Sequence, residues 1–222
     1  MKKHIVCFGD SNTHGYDGDT LGRFDENERW TCLLQKHLGE DYLVLEEGLS
    51  GRTTAFDDPL TEGLSSIPVI NPILMTHEPV DLLVIMLGTN DTKSRFSLTA
   101  DEISFGLERL VKKAKITECW AKEPNILIVV PKNIDKEYEE STIFPQMGPG
   151  CHEKSQKLAP LYLEVANRNK CHYLDANKYV TNNNRNDYMH IDKQGHQELA
   201  KALSDKIKEI LKWKEYYASV TH

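Results

Sequence analysis

The sequence predicts an α/β fold built on a five-stranded, mostly parallel sheet. Short apolar runs rich in branched residues alternate with longer amphipathic stretches, which is the pattern of βαβ units. The chain has 222 residues and no low-complexity linker interrupts it. We therefore expect a single domain over residues 1–222, and a domain of that size buries roughly 70% of the surface that its unfolded chain exposes.

Five segments have the apolar, branched composition of strands. They are residues 4–9, 42–47, 81–87, 125–130 and 171–175. The third is apolar without alternation, as expected for a central strand that is covered on both faces.

Helices are predicted between and after these strands. One begins near Thr99, which forms a capping box with Glu102, and the last is capped by Asp192 and ends near Lys214. Two further helices are expected at residues 28–38 and 151–168. The apolar stripes that we expect to face the core are Ile103, Leu107, Leu110, Val111 and Ala114 in the first helix, and Leu199, Leu203, Ile207, Ile210 and Leu211 in the last.

Two long segments, residues 49–79 and 131–150, lack a helical or strand pattern. The second contains Pro131, Pro145, Gly148, Pro149 and Gly150, and this composition predicts that it has no regular structure. Loops of this length are often functional. We expect residues 131–150 to shape a pocket entrance or a contact in a homo-oligomer.

Charge and cysteine content exclude several classes of protein. A net charge of −7 and the lack of a dense Lys/Arg cluster argue against a nucleic-acid partner. The longest apolar stretches, of six or seven residues, are too short to span a membrane, and the N-terminus lacks a long apolar signal core. The five cysteines contain no C-x-x-C pair, which predicts buried free thiols and a cytoplasmic location.

Ser11 is a candidate nucleophile. It directly follows the first predicted strand, within Phe8-Gly9-Asp10-Ser11-Asn12, at the strand end where open α/β sheets bind their ligands. Taken alone, a serine in this place is equally well explained as a turn or cap residue.

His190 is the best candidate for the base that such a serine needs. Asp187 precedes it by three residues, a spacing that lets the carboxylate bind Nδ1 and leaves Nε2 free for the serine proton. The pair could instead only order the loop before the last helix. His196 is a rival base, but it falls within the predicted last helix and is more readily explained as a helix-surface or packing residue.

Three groups could donate hydrogen bonds to a developing oxyanion: the backbone N–H of Ser11, the backbone N–H of Gly51 and the side-chain amide of Asn90. Each follows one of the first three strands, which are neighbours in a sheet of order 2-1-3-4-5. Gly51 and Gly88 are also compatible with ordinary turns.

No cofactor or metal is indicated by the sequence. The segment from Gly9 to Gly15 lacks the second glycine of a phosphate-binding loop, G-x-G-x-x-G is absent, and the histidines show no metal-ligand spacing.

Together these segments resemble the SGNH (GDSL) hydrolases, and within them the bacterial arylesterase/acyltransferase branch. The signature residues fall on Ser11, Gly51, Asn90 and His190, in blocks that include Gly88-Thr89-Asn90-Asp91. The resemblance implies a flavodoxin-like three-layer α/β/α sandwich and acyl transfer through Ser11, with His190 as the base, Asp187 orienting it, and Ser11, Gly51 and Asn90 as the oxyanion hole.

The leading functional hypothesis is a serine esterase that hydrolyses, or transfers, short acyl groups of small-molecule esters. An O-deacetylase of carbohydrates or other metabolites is an alternative with the same fold. A non-catalytic flavodoxin-like domain that binds a nucleotide or anion is the alternative from another class. That last hypothesis requires Ser11 and His190 to be unrelated in space.

Overall fold

A parallel five-stranded sheet forms the centre of the molecule. The computed structural model describes residues 1–220, and the side chains of its last helix as far as residue 212. The strands are β1 (Lys3–Gly9), β2 (Tyr42–Gly48), β3 (Val80–Met86), β4 (Ile126–Val130) and β5 (His172–Asp175). Their order is β2-β1-β3-β4-β5, and every pairing is parallel. The predicted strands and their order are confirmed.

Seven helices accompany the sheet within the described residues. They are α1 (Ser11–His14), α2 (Trp30–Leu38), α3 (Ile70–Thr76), α4 (Ala100–Lys115), α5 (Phe144–Met147), α6 (Cys151–Arg168) and α7 (Lys193–Val220). A two-residue antiparallel ladder joins Tyr16–Asp17 to Gly22–Arg23. None of the described helices is both long and apolar enough to cross a membrane.

The hydrophobic core lies on both faces of the sheet. Val6 and Phe8 of β1 pack with α3, α4 and α6, whereas Ile5 and Cys7 pack with α2 and α7. This alternation follows from the two-residue period of a strand. The result is the predicted three-layer α/β/α sandwich, in which both helical stripes named from the sequence are buried.

The helices begin close to the predicted positions, but three predictions about regular structure need correction. Thr99 and Glu102 form the predicted capping box. The segment 131–150 was predicted to have no regular structure, yet it contains a 3₁₀ turn, Lys136–Glu140, and helix α5. Pro145 is compatible with α5 because it lies in the first turn, where no backbone donor is required.

The other two corrections concern α3 and α7. The segment 49–79 contains α3, whose two buried residues, Ile70 and Leu74, have the spacing of one helical face. Helix α7 continues to Val220 rather than ending near Lys214, since no glycine or proline follows Lys214 to stop it. All five cysteines are free, as predicted, although Cys32 and Cys171 are only partly buried.

Candidate active site

Ser11 is held by a tight turn at the carboxyl end of β1. Asp10 caps α1 by accepting a hydrogen bond from the backbone N–H of Asn12 at 3.0 Å. A Cβ atom at Gly9 would lie 2.0 Å from Oγ1 of Thr13 and 2.8 Å from the carbonyl oxygen of Met86. Only glycine therefore lets α1 fold back against the strand end.

The three predicted triad residues meet at this strand end. Nε2 of His190 lies 2.8 Å from Oγ of Ser11. Nδ1 of His190 lies 2.8 Å from Oδ2 of Asp187. Because an ionised carboxylate can only accept, Nδ1 carries a proton, and the lone pair of Nε2 in a neutral imidazole then faces the hydroxyl. Ser11 and His190 are 179 positions apart in sequence but in contact in the fold. The non-catalytic hypothesis requires them to be unrelated in space, and this contact contradicts that requirement.

Asp187 is fixed by the turn that contains it. Its Oδ1 accepts the backbone N–H groups of Met189 and His190, each at 2.9 Å, and Tyr188 between them has a φ of 58°. Burial works to raise the pKa of Asp187, but the hydrogen bonds and charge of His190 and the two backbone donors outweigh it and lower that pKa. The carboxylate is therefore ionised over the range in which a histidine acts as a base.

Asn12 connects the serine segment to the histidine segment, a role that the sequence analysis missed. Its Oδ1 accepts the backbone N–H of Ile191 at 2.9 Å, and its carbonyl oxygen accepts the indole N–H of Trp30 at 2.9 Å. The side chain of Asn12 is 2% exposed. Its position beside Ser11 was the only signal of its role.

The three predicted oxyanion donors border one cavity of about 140 Å³, together with His190. Gly51 has a φ of 88°, in the left-handed region that favours glycine. The amide nitrogen of Asn90 donates to the carbonyl oxygen of Arg52 at 3.2 Å, which fixes its orientation. Ser11, Gly51 and Asn90 therefore lie together at one edge of the sheet, as the strand order predicts.

A buried polar frame supports these donors. The guanidinium of Arg52 lies 4.1 Å above the ring of Phe8 and donates to the carbonyl oxygen of Gly9 at 3.0 Å. Asp91 accepts from the backbone N–H and the hydroxyl of Thr54. Burial raises the pKa of Asp91 to about 6, even though these hydrogen bonds oppose the shift.

His196 is a packing residue. It is fully buried, its Nδ1 accepts the backbone N–H of Trp30 at 3.1 Å, and its ring meets that of Phe24 edge-on at 4.8 Å between centroids. Burial lowers its pKa to about 3, with a smaller effect from the charge of His190. The preference for His190 over His196 as the candidate base follows from this placement.

Part of the cavity wall comes from the long segment 131–150. Ile143, Gln146 and Met147 line the cavity. This agrees with the first of the two predicted roles of the segment, which was to shape a pocket entrance. The ring centroids of Tyr16 and His190 lie 4.5 Å apart. Met189 also lines the cavity.

The chain is similar to a known protein family and to solved structures of esterases. Residues 7–198 match the GDSL-like lipase/acylhydrolase family. A carbohydrate acetylesterase family member from Sinorhizobium meliloti is 36% identical, with a TM-score of 0.86 over 94% of this chain and 99% of that one. The aryl esterase of M. smegmatis is 33% identical, with a TM-score of 0.86 and the same coverage.

A curated relative matches over a shorter stretch. The acetylxylan esterase of Xylanibacter ruminicola is 30% identical over 112 residues, which are 49% of this chain and only 21% of that protein. The family match covers both the serine and the histidine segments described above. The chain belongs to the GDSL-like lipase/acylhydrolase family of ester hydrolases.

Proposed function

We propose that this protein is a serine esterase that removes short acyl groups from small esters through an acyl-serine intermediate. The observation that carries the proposal is the continuous contact from Asp187 through His190 to Ser11, with 2.8 Å at both steps. This arrangement supplies a nucleophile, its base and the group that orients the base.

The proposed reaction proceeds in two halves. Oγ of Ser11 attacks the ester carbonyl carbon while its proton passes to Nε2 of His190. The C–O bond to the alcohol then breaks, and the alcohol leaves with that proton. In the second half, water attacks the acyl-serine, His190 takes a proton from it, and the carboxylic acid leaves as Ser11 regains its proton.

The negative charge on the carbonyl oxygen is stabilised in this proposal by the N–H groups of Ser11 and Gly51 and by the amide of Asn90. A side-chain amide has two N–H donors. Nδ2 of Asn90 donates to the carbonyl oxygen of Arg52 at 3.2 Å and makes a longer contact of 3.5 Å with Oδ2 of Asp10. The longer contact is the one that an oxyanion would replace. Loss of one such donor typically costs about 10²–10³ in rate.

The size of the cavity supports a short acyl group. Its volume of about 140 Å³ is small beside the ~300–1,000 Å³ of pockets that hold drug-sized ligands. The names of the Sinorhizobium meliloti and Xylanibacter ruminicola relatives, a carbohydrate acetylesterase and an acetylxylan esterase, favour acetyl groups on carbohydrates as one substrate class. Replacement of water by another alcohol in the second half would make the same chemistry an acyl transfer.

The direct test is hydrolysis of p-nitrophenyl acetate by the wild type and by Ser11→Ala. We expect the wild type to release nitrophenol with saturation kinetics and the variant to lose at least about 10³-fold in kcat, since the nucleophile is gone. Ser97→Ala is the matched control because Ser97 is exposed and lies outside the cavity lining. Full activity in Ser11→Ala would overturn the proposal.

A further inference from the structure

Lys93 is a buried cation in the wall of the candidate active site. It follows the Gly88-Thr89-Asn90-Asp91 block by two residues, lines the same cavity as Ser11 and Asn90, and has a side chain that is 2% exposed. A hydrogen-bond acceptor stabilises an ammonium group that is largely removed from water.

The described part of the chain supplies charge to Lys93 but no acceptor at hydrogen-bond distance. Among the residues that the structure describes, the carboxylate nearest to Nζ is that of Asp58, with Oδ2 at 3.9 Å. That separation is beyond a hydrogen bond. Both oxygens of Asp58 are instead bound by Arg95, with Nη2 to Oδ2 at 2.7 Å and Nε to Oδ1 at 3.1 Å.

The charges around Lys93 indicate which kind of acceptor suits it. The carboxylates of Asp10, Asp58 and Asp91 act on this ammonium, and Arg95 is the opposing cation. With negative charge already present in the protein, a further carboxylate on the ligand is not required. The acceptor that suits this ammonium is an uncharged oxygen, such as a hydroxyl of a ligand in the cavity.

We propose that Lys93 determines specificity by donating a hydrogen bond to a second oxygen of the ester substrate. The class of substrate is a small ester with a hydroxyl group close to the scissile bond, on either its alcohol or its acyl part. This inference rests on the proposed esterase function. It makes the site selective for hydroxylated esters over plain alkyl esters of the same size.

The test uses three esters that differ only in hydroxyl groups: propyl acetate, glycerol 1-acetate and propyl glycolate. The second carries its hydroxyls on the alcohol and the third carries one on the acyl group. For each ester, kcat/KM is divided by its rate of hydroxide-catalysed hydrolysis, which removes differences in intrinsic reactivity. We expect the wild type to favour at least one hydroxylated ester by about tenfold or more, as for a hydrogen bond to a charged group.

Lys93→Met removes the donor and leaves an unbranched side chain that is one atom shorter. We expect it to lose about 10- to 100-fold in kcat/KM on the preferred hydroxylated ester and less than about threefold on propyl acetate. Lys112→Met, the same change at a lysine whose side chain is 64% exposed on α4, is expected to leave all three values unchanged. Selective loss on glycerol 1-acetate assigns the oxygen to the alcohol, and selective loss on propyl glycolate assigns it to the acyl group.

Three results would overturn the role of Lys93: no preference in the wild type, an equal loss on all three esters, or no loss on any. The wild-type comparison stands even if Lys93→Met fails to fold. Failure of the esterase proposal has a different signature, since the folded wild type would then cleave none of the esters, or would cleave them as well after Ser11→Ala.

Discussion

Asp187 accepts three hydrogen bonds, one from the ring of His190 and two from the backbone N–H groups of Met189 and His190 in the same turn. The turn needs a short side-chain acceptor at its first residue, position 187. An aspartate there accepts hydrogen bonds from both the backbone and the imidazole. A single side chain thus fixes the position of the ring and the nitrogen that carries its proton.

This double role predicts the effect of Asp187→Asn. Oδ1 of the amide can keep the two backbone hydrogen bonds, but the NH₂ group facing Nδ1 favours the tautomer with the proton on Nε2. We expect kcat for p-nitrophenyl acetate to fall by about 10²–10⁴. The melting temperature should stay close to that of the wild type.

Asp205→Asn is the matched control for that substitution, since Asp205 is exposed on α7. An Asp187→Asn variant with wild-type kcat would show that His190 does not depend on the carboxylate. The proposed role of Asp187 in orienting His190 would then be wrong.

Asn12 carries the second prediction at this scale. Asn12→Ala removes the acceptor of the buried Ile191 N–H, so we expect about 1–3 kcal/mol less stability in urea unfolding. The activity should fall as well, because that contact joins the serine segment to the histidine segment. Equal stability of the wild type and Asn12→Ala would argue against this link.

The meeting of Ser11, Asp187 and His190 could be predicted because the type and neighbours of each residue carry a chemical signature. Ser11, Asp187 and His190 each belong to a short block that follows a predicted strand or precedes a predicted helix. Asn12, Arg52 and Lys93 could not be assigned in this way. Their roles depend on distant backbone groups and on burial, which spacing along the chain does not encode.

At the scale of elements, Glu46 connects β2 to α2. Arg29 binds both of its carboxylate oxygens, at 2.7 Å and 3.0 Å, and the hydroxyl of Thr31 donates to it as well. Burial alone would raise the pKa of Glu46, but the hydrogen bonds from Arg29 and Thr31, with the charges of Arg29 and Arg23, lower it to about 2.

A depressed pKa in the folded state makes the stabilisation by Glu46 depend on pH. The contribution is complete above the ordinary pKa of 4.5 and is lost as the pH falls towards 2. We expect Glu46→Gln to lower the free energy of unfolding by about 1–2 kcal/mol at pH 7. The difference should be smaller at pH 3, as urea unfolding at the two pH values would show.

Glu209→Gln serves as the control for this measurement, since the side chain of Glu209 is 66% exposed in its ion pair with Lys206. Exposed pairs contribute about 0–1 kcal/mol. A Glu46→Gln effect that stays constant from pH 7 to pH 3 would contradict the assigned pKa shift.

The regular elements differ in how well the sequence predicts them. Strand β3 is a continuous apolar run, and helix α4 has a strong periodic pattern and a recognisable cap. Helix α5 has four residues, too few for a periodic pattern, and it lies among prolines and glycines that usually indicate loops. Its helical turn is compatible with Pro145 only because the proline falls in the first turn.

At the scale of the whole molecule, the two halves of the core share one sheet. Adjacent residues of β1 point into opposite layers, so disruption of either layer exposes the other face of the same strands. We propose that residues 1–222 form one domain, and we expect one cooperative unfolding transition. Circular dichroism and tryptophan fluorescence should then give the same urea midpoint. Two separate midpoints would contradict a single domain.

The central claim is that Ser11 and His190 act together although they are far apart in the sequence. The most direct measurement is labelling with a p-nitrophenyl alkylphosphonate, followed by peptide mapping by mass spectrometry. We predict one phosphonyl group per chain, bound to Oγ of Ser11, and labelling at least about 10²-fold slower in His190→Ala. A label on another residue, or labelling of Ser11 at the wild-type rate in His190→Ala, would contradict the claim.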